Sequence, residues 1–513
     1  MQKEAVLLSI SAREPVPARF NLARYCLAEN ARVRPDAVAL TVVGDAGAQR
    51  WTHAALDLKV RRLAAGLASL GLKPGARVMI RMGNEANAAL LYFAAIAAGF
   101  VPLLASSQLT FEEADFLLKD CGAAVLALGV AFEEEAHGGG LFVLRGADIE
   151  RLADHAPLDE YADTAADDPA YLVYTSGTTS RPKGVLHAHR AAWGRRPMRA
   201  HWTGLGPGDV MLHAGAINWT YTLGVGIVDP LSAGGSAVLY NGHPDPAVWP
   251  RLIAERRATV FAAVPGVYRQ ILKYAAPEEA DLSSLRHGLS AGAALAPSLL
   301  AEWRARTGKE IYEAFGMSEC STFISSGPTT PVHPGSPGRP QPGRVVAALP
   351  PEGGETPLAP GETGVLAVRR DEPGLMLGYW SRPEEEREAF RGDWFVSGDL
   401  VAFDAEGYMH HHGRADEVMN AGGYRVSPAE VEKCLLTFDQ VAEAAAAERP
   451  GRDADATIIK AYVVMRDGAA HDEAALLAHC QAHLAAYKRP RAVVFLDALP
   501  RNANGKLDRR ALP

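Results

Sequence analysis

Hydroxyls, a glycine and a lysine crowd one run of the chain, Tyr174-Thr175-Ser176-Gly177-Thr178-Thr179-Ser180-Arg181-Pro182-Lys183. It follows a short apolar stretch, Tyr171-Leu172-Val173, that reads as a buried strand. Backbone N–H groups at such a turn, free of a Cβ at Gly177, can converge on phosphate oxygens. The hydroxyls and the Lys183 ammonium add donors and positive charge. The spacing is not that of the Walker loop, because no Gly-Lys-Ser/Thr follows a first glycine at the required distance. A Ser/Thr/Gly-rich stretch also fits an ordinary solvated turn, so the weight of this loop depends on the motifs that accompany it.

Two other constellations suggest different chemistry. Gly288-Leu289-Ser290-Ala291-Gly292 matches the nucleophile elbow of α/β-hydrolases, and His137-Gly138-Gly139-Gly140 mimics their oxyanion loop. Both are short motifs in a chain with 49 glycines, where chance matches are expected. The flank Val264 to Leu285 also offers no buried strand leading tightly into a helix, as an elbow requires. His410-His411-His412 resembles a metal-ligand cluster, yet neighbours on a strand point to opposite faces, so three in a row do not share one ion. A partly exposed strand before Gly413 is the preferred reading.

The elements that must position these residues alternate between strand and helix. Leu56, Val60, Leu63, Leu67 and Leu70 recur at three- and four-residue steps, and Gly71 stands where a helix C-terminus favours glycine. Strand Val78-Met79-Ile80 follows the Lys73-Pro74-Gly75 turn. Ala88 to Ala105 lacks any charge, but Gly99 and Pro102 divide it into a buried helix and a strand, Phe100 to Leu104, rather than a membrane span. The alternation continues to about residue 310 and predicts parallel sheets covered by helices. From Gly335 to Trp380 the texture changes to Pro/Gly turns between short strands such as Gly364 to Val368. A further change comes near Arg414. Ser427-Pro428-Ala429-Glu430 is a capping-box signature with proline at the first helical position. Strand Ile458 to Met465, helix Glu473 to Tyr487 and strand Val493 to Leu496 complete a small α+β unit.

At 513 residues the chain is long enough for two to four domains, and 48% hydrophobic content supplies a core. A net charge of −8, from 52 basic and 60 acidic side chains without a long basic run, argues against nucleic-acid binding. Five scattered cysteines, Cys26, Cys121, Cys320, Cys434 and Cys480, with no Cys-x-x-Cys pair, predict free thiols and a cytoplasmic location. The N-terminal stretch Met1 to Pro15 is no secretory signal.

Taken in order, several motifs make the chain resemble the adenylate-forming superfamily of acyl-CoA synthetases, carrier-protein adenylation domains and luciferases. They are Thr175 to Lys183, Ser290 to Ala294, Tyr312 to Glu319, Trp394 to Asp399, Gly413 to Glu417, Gly422 to Arg425 and Pro500 to Lys506. The ordered set is specific where each single motif is not. Ser180 stands where glycine is usual and Ser318 where threonine is commoner; neither departure removes a hydroxyl or charge that the chemistry requires. The resemblance implies an α/β fold. Its large adenylation body would span residues 1–415, including a β-rich subdomain at about 335–415, and a small α+β cap at 416–513 would turn between half-reactions.

It also implies site roles. Thr175, Ser176, Gly177, Thr178, Thr179 and Lys183 would hold the leaving phosphates of ATP. Gly292, Ala293, Ala294, Glu313, Ala314, Phe315, Gly316, Met317 and Ser318 would surround the nucleotide, with Phe315 against the adenine. Asp399 and Arg414 would take the ribose side, and Glu319 would reach Mg²⁺ and share the catalysis. Lys506 would be catalytic, stabilising charge as a carboxylate attacks the α-phosphate. Asp416 would be the hinge, and Gly422, Gly423 and Tyr424 would line the path of coenzyme A.

The resemblance further implies an acid-thiol ligase acting on a small carboxylic acid with ATP, Mg²⁺ and coenzyme A, with neither nucleic acid nor stable membrane insertion; a homodimer is compatible with it. Because the chain ends at Pro513, shortly after Lys506, a free-standing CoA ligase is favoured over a carrier-protein loader. The acyl pocket would be walled by Asn218 to Gly224 and by Gly316. Acetate-specific relatives carry tryptophan at the place of Gly316, so glycine implies a larger acid. Trp219 and Tyr221 resemble the aromatic wall of benzoate-type and medium-chain ligases, and both substrate classes stay open.

Overall fold

The computed structural model describes residues 14–513 except 138–139, 176–181, 244, 418, 422–423, 451–456, 485 and 502–506. Two large sheets dominate it. The first has nine strands and a parallel centre of six: Glu310–Met317, His287–Ala291, Val260–Ala263, Val210–His213, Ser236–Tyr240 and Val38–Gly44. Antiparallel strands close both its edges. The second has seven strands, parallel from Phe142–Leu144 through to Pro169–Thr175, with Lys183–Ala188 and Gly378–Tyr379 added antiparallel. Parallel sheets need both faces covered, and the expected alternation of strand and helix provides the cover.

The uncharged stretch folds as predicted into helix Ala86–Ala97 and strand Val101–Ala105. Within that helix every residue but Asn87 is buried, so it belongs to the core and not to a surface. Its alanines let it pack closely against helix His53–Ala68 and strands of both sheets, in a single apolar cluster that includes Leu63, Leu91, Ile80 and Leu239. No helix among the described residues is long and apolar enough to cross a membrane, and all five cysteines are buried free thiols.

The β-rich texture after Gly335 becomes an antiparallel five-stranded sheet built on Gly364–Arg369 and the ten-residue strand Trp394–Phe403, with Met409–Arg414 paired to the latter. Beyond it lies a smaller unit in which Val441–Pro450, Thr457–Met465 and Ala492–Phe495 form a sheet backed by helices Pro428–Leu436 and Glu473–His483.

Two local expectations change here. The second of these helices ends at His483, short of Tyr487, because Leu484 already turns to extended backbone. Ser427 does precede a helix with proline in its first turn, but its hydroxyl does not cap that helix. It donates instead to the carbonyl of His412, tying the small unit to the end of the preceding strand.

Candidate active site

The phosphate-type run begins on strand Pro169–Thr175 and ends on its antiparallel partner Lys183–Ala188. Thr175 and Lys183 face each other across these two strands, while Ser176, Gly177, Thr178 and Thr179 lie outside the described residues. Lys183 sits with its ammonium 5.6 Å from the ring centre of Tyr379. The Tyr379 hydroxyl donates to Glu319 Oε1 at 2.8 Å. Burial, then the nearby Glu319 charge, raises the Tyr379 hydroxyl, which therefore stays a proton donor. Tyr379 thus bridges the lysine at the end of the run to the carboxylate expected to hold metal, a connection that sequence reasoning missed. Glu319 is half-buried and its second oxygen has no hydrogen-bond partner among the described residues, a donor that suits Mg²⁺ shared with phosphate oxygens.

On the other side of the site, Gly292, Ala293 and Ala294 form an exposed loop at the end of the fully buried strand His287–Ala291. Gly292 adopts φ +89°, a conformation that favours glycine. Glu313 reaches this loop from the neighbouring strand, accepting a hydrogen bond from the Leu295 N–H at 2.9 Å. Burial pushes the Glu313 carboxyl up to about 7, partly opposed by that bond. The native state therefore holds its proton more tightly than the unfolded chain, and the stability it contributes falls as pH rises from the ordinary glutamate range through 7. Glu313→Gln, which keeps an acceptor and cannot ionise, should flatten that decline by about 2–3 kcal/mol between pH 4.5 and 7 in urea titrations. Identical pH slopes in the two proteins would exclude Glu313 as the cause.

Asp399 and Arg414 are cross-strand neighbours, with Arg414 Nη1 3.8 Å from Asp399 Oδ2. His411 meets the other oxygen of Asp399 at 3.0 Å and holds its ring 5.5 Å from that of Phe315. Burial works against the Asp399 charge, but the hydrogen bond and charge of His411, with Arg414, outweigh it and keep the carboxyl below its ordinary value. The histidine triplet accordingly divides its partners: His410 goes to Asp404 and His411 to Asp399. Among the described residues no group of His, Cys, Asp and Glu is arranged to hold a metal ion. Seen from sequence as an exposed strand, the triplet supplies one residue of the nucleotide-type cluster.

The hydrolase alternative meets the same kind of test. As expected, the flank Val264 to Leu285 holds no strand leading tightly into a helix; Ser290 lies in the buried strand His287–Ala291, its hydroxyl is fully enclosed, and the next helix starts only at Pro297. No substrate reaches such a hydroxyl.

The acyl-pocket expectations need correction. A Cβ built on Gly316 would collide with the backbone of Ser321 and Thr322, so close strand approach, not pocket size, requires glycine there. Tyr221 is engaged by neighbours within the fold. Its ring packs against Trp202 and edge-on to His213, and its hydroxyl donates to the Leu289 carbonyl at 3.2 Å. Trp219 is half-exposed.

A cavity does open beside Ser318, lined by Tyr92, Tyr171, His187, Arg195, Thr220, Leu223, Gly224 and Ser321. Tyr171 stacks on His187, ring centres 4.7 Å apart and nearly parallel at 12°, with Tyr92 edge-on to Tyr171 at 6.0 Å. At its floor Arg195 forms a bidentate pair with Asp229, at 2.6 and 2.7 Å, and also donates to Ser321. Arg195 and Asp229 are both buried. Gly224, in the π-helical segment Thr222–Val228, makes room for this guanidinium: a Cβ there would lie 2.5 Å from it. Nothing in the sequence around Arg195 marks it as the buried one among its basic neighbours.

Of the remaining expected residues, Lys506, Gly422 and Gly423 lie outside the described residues, as do the side chains of Asp416 and Tyr424.

Comparison with known proteins comes from three directions. A family model described as AMP-binding enzyme matches residues 27–380, and one described as AMP-binding enzyme C-terminal domain matches 430–506. The chain is 32% identical to the benzoate–CoA ligase of Thauera aromatica, over 96% of both chains. It is 30% identical to the 3-hydroxybenzoate–CoA ligase of Aromatoleum sp. (strain CIB), over 90% of this chain and 91% of that one. The fold superposes on the crystal structure of an anthranilate CoA ligase in complex with anthranoyl-AMP with a TM-score of 0.88, at 28% identity and 96% coverage of both.

Proposed function

This chain belongs to the AMP-binding enzyme family and is an AMP-forming acyl-CoA ligase that uses ATP and coenzyme A, and from that premise we propose that its acid substrate is aromatic. What supports this reading most directly is the superposition on an anthranilate CoA ligase in complex with anthranoyl-AMP, over 96% of both chains. The relatives named for benzoate and 3-hydroxybenzoate point the same way.

In the reaction we propose, the run from Thr175 to Lys183 holds the β- and γ-phosphates. The loop Gly292 to Ala294 and Phe315 enclose the adenine, with Glu313 holding that loop in place. Asp399 accepts the ribose hydroxyls, oriented by His411 and flanked by Arg414. Glu319, fixed by Tyr379, would hold Mg²⁺, whose charge when bound offsets that of the phosphates. Lys506 faces the α-phosphate as the substrate carboxylate attacks it and pyrophosphate leaves. A turn about Asp416, which we take as the boundary between body and cap, then brings Gly422, Gly423 and Tyr424 against the pantetheine arm. The thiol attacks the acyl carbon and AMP departs. No strong base is required for that step, because the acyl-adenylate is already activated.

A panel of carboxylic acids assayed for pyrophosphate release, with and without coenzyme A, tests this reading. Aromatic acids should give AMP and pyrophosphate, with thioester appearing only when coenzyme A is present. Release of ADP and phosphate would overturn the chemistry, and turnover confined to flexible aliphatic acids would overturn the substrate class.

A further inference from the structure

One carboxylate of the small C-terminal unit takes two guanidiniums. Glu443 stands near the start of strand Val441–Pro450, the single charge in a run that is otherwise alanine from Ala442 to Ala447. The pairing of this strand with Thr457–Met465 slips between Val441 and Glu443, and a bulge of that kind re-aims the side chain beside it. Glu443 Oε1 accepts from Arg269 Nη1 at 2.7 Å, and Oε2 accepts from Arg501 Nη2 at 2.8 Å.

The two arginines belong to different parts of the protein. Arg269 is on helix Pro265–Tyr274 of the large body, anchored there by Tyr268, Ile271 and Leu272 in a cluster with Phe261 and Ile311. Arg501 bridges to Leu507, and the Asp508 N–H donates to the Pro500 carbonyl at 2.9 Å, so the ends of the run that carries Lys506 lie side by side. Past Lys506, Arg509 is tied within the small unit to Glu432 at 2.7 Å and to Glu417 at 2.9 Å. A second pair joins the same two faces: Lys273, four residues after Arg269 on its helix, meets Asp467 at 3.1 Å.

Glu443 is thus the counter-ion that lets a cation of the body and a cation beside the Lys506 run approach one point. Without its charge, two guanidiniums within reach of one side chain repel each other. Arg269 and Arg501 are 39% and 43% exposed, so each pair is individually weak. Weakness suits a contact that has to break when the cap turns. Lys506 has work to do only while the α-phosphate is attacked, so a contact made to its run belongs to that step.

We propose that Glu443 is a positioning residue for adenylate formation: it holds the Arg501 end of the Lys506 run and, through Arg269, fixes that end against the body. The inference rests on the roles of Lys506 and of the turning cap proposed above, and adds the contact that sets the first orientation.

The test measures single-turnover rates of both half-reactions in the full-length wild type, Glu443→Gln, Arg269→Ala and the double variant, with an acid that the wild type activates. Each single substitution should slow adenylate formation by about three- to fivefold. The double variant should be no slower than Glu443→Gln, since both changes remove one contact. Thioester formation from supplied acyl-adenylate should be unchanged or faster in all three. Added salt should slow adenylate formation more in the wild type than in Glu443→Gln. Arg501→Ala, which leaves Arg269 and Glu443 paired, is the second variant if Glu443→Gln folds poorly, and it too should slow only the first step. Wild-type adenylation in the single variants would overturn the inference, as would losses that multiply in the double variant or a loss shared equally by both half-reactions. Lys506→Ala in the same assay separates this inference from the reading beneath it. If that variant adenylates normally, the role of Lys506 falls; if it alone is slow, that role stands and the one given to Glu443 falls.

Discussion

Lys506→Ala should lower the rate of acyl-adenylate formation by about a hundred- to a thousandfold while leaving thioester formation from a supplied acyl-adenylate largely intact. The physical argument concerns charge. A carboxylate approaching an α-phosphate brings two anions together, and negative charge grows on the phosphate oxygens as the five-coordinate state forms. A positioned ammonium that meets this charge only in the transition state acts on the chemical step and not on binding alone. In the second half-reaction the phosphate is a leaving group and the thiol attacks carbon, so the same lysine has much less to stabilise. Gly423→Leu should do the reverse, permitting adenylation while its side chain obstructs the thiol. Rapid-quench measurement of each half-reaction in both variants decides the matter. Equal impairment of both steps by each substitution would show that one static arrangement performs the whole reaction.

The second large effect concerns stability. Removing the carboxylate in Asp229→Ala leaves the Arg195 guanidinium enclosed with Ser321 as its remaining side-chain partner among the described residues. Burial opposes the Arg195 charge and Asp229 more than restores it, so the pair stands or falls together. A buried charge deprived of its partner costs about 3–5 kcal/mol, enough to threaten the fold of a marginally stable protein. Replacing both members with apolar residues of similar size, Arg195→Met with Asp229→Leu, should recover most of the loss. Urea denaturation midpoints of the single and double variants check this. A single variant as stable as the wild type would mean that water or another acceptor reaches the guanidinium. A double variant no better than the single would assign the loss to packing and not to charge.

The parts of this protein that could be read from its residues are those whose cause is local. The uncharged run from Ala88 to Ala105 could only become a core helix and strand, because burial follows from composition and the break follows from Gly99 and Pro102. The strand before the hydroxyl-rich run was legible for the same reason: Tyr171-Leu172-Val173 is a short apolar stretch next to turn-forming residues. So was the change of texture near residue 414, where a small separate sheet does form.

What escaped the sequence is the pairing of groups far apart in the chain. Tyr379 and Glu319 are 60 residues apart, and Arg195 and Ser321 are 126 apart. His411 could not be told from His410 and His412 by its own identity, since only its place opposite Val401, beside an irregularity in the strand pairing, lets its ring reach Asp399. Gly316 carried the opposite lesson: a glycine that suggested an open pocket is demanded by the backbone of the next strand. Periodicity and turn chemistry act over a few residues and leave their mark in every stretch that obeys them. Which charge is buried, and against what, depends on how two sheets are stacked and in what register. No short stretch of the chain holds that information, so only the folded structure decides it.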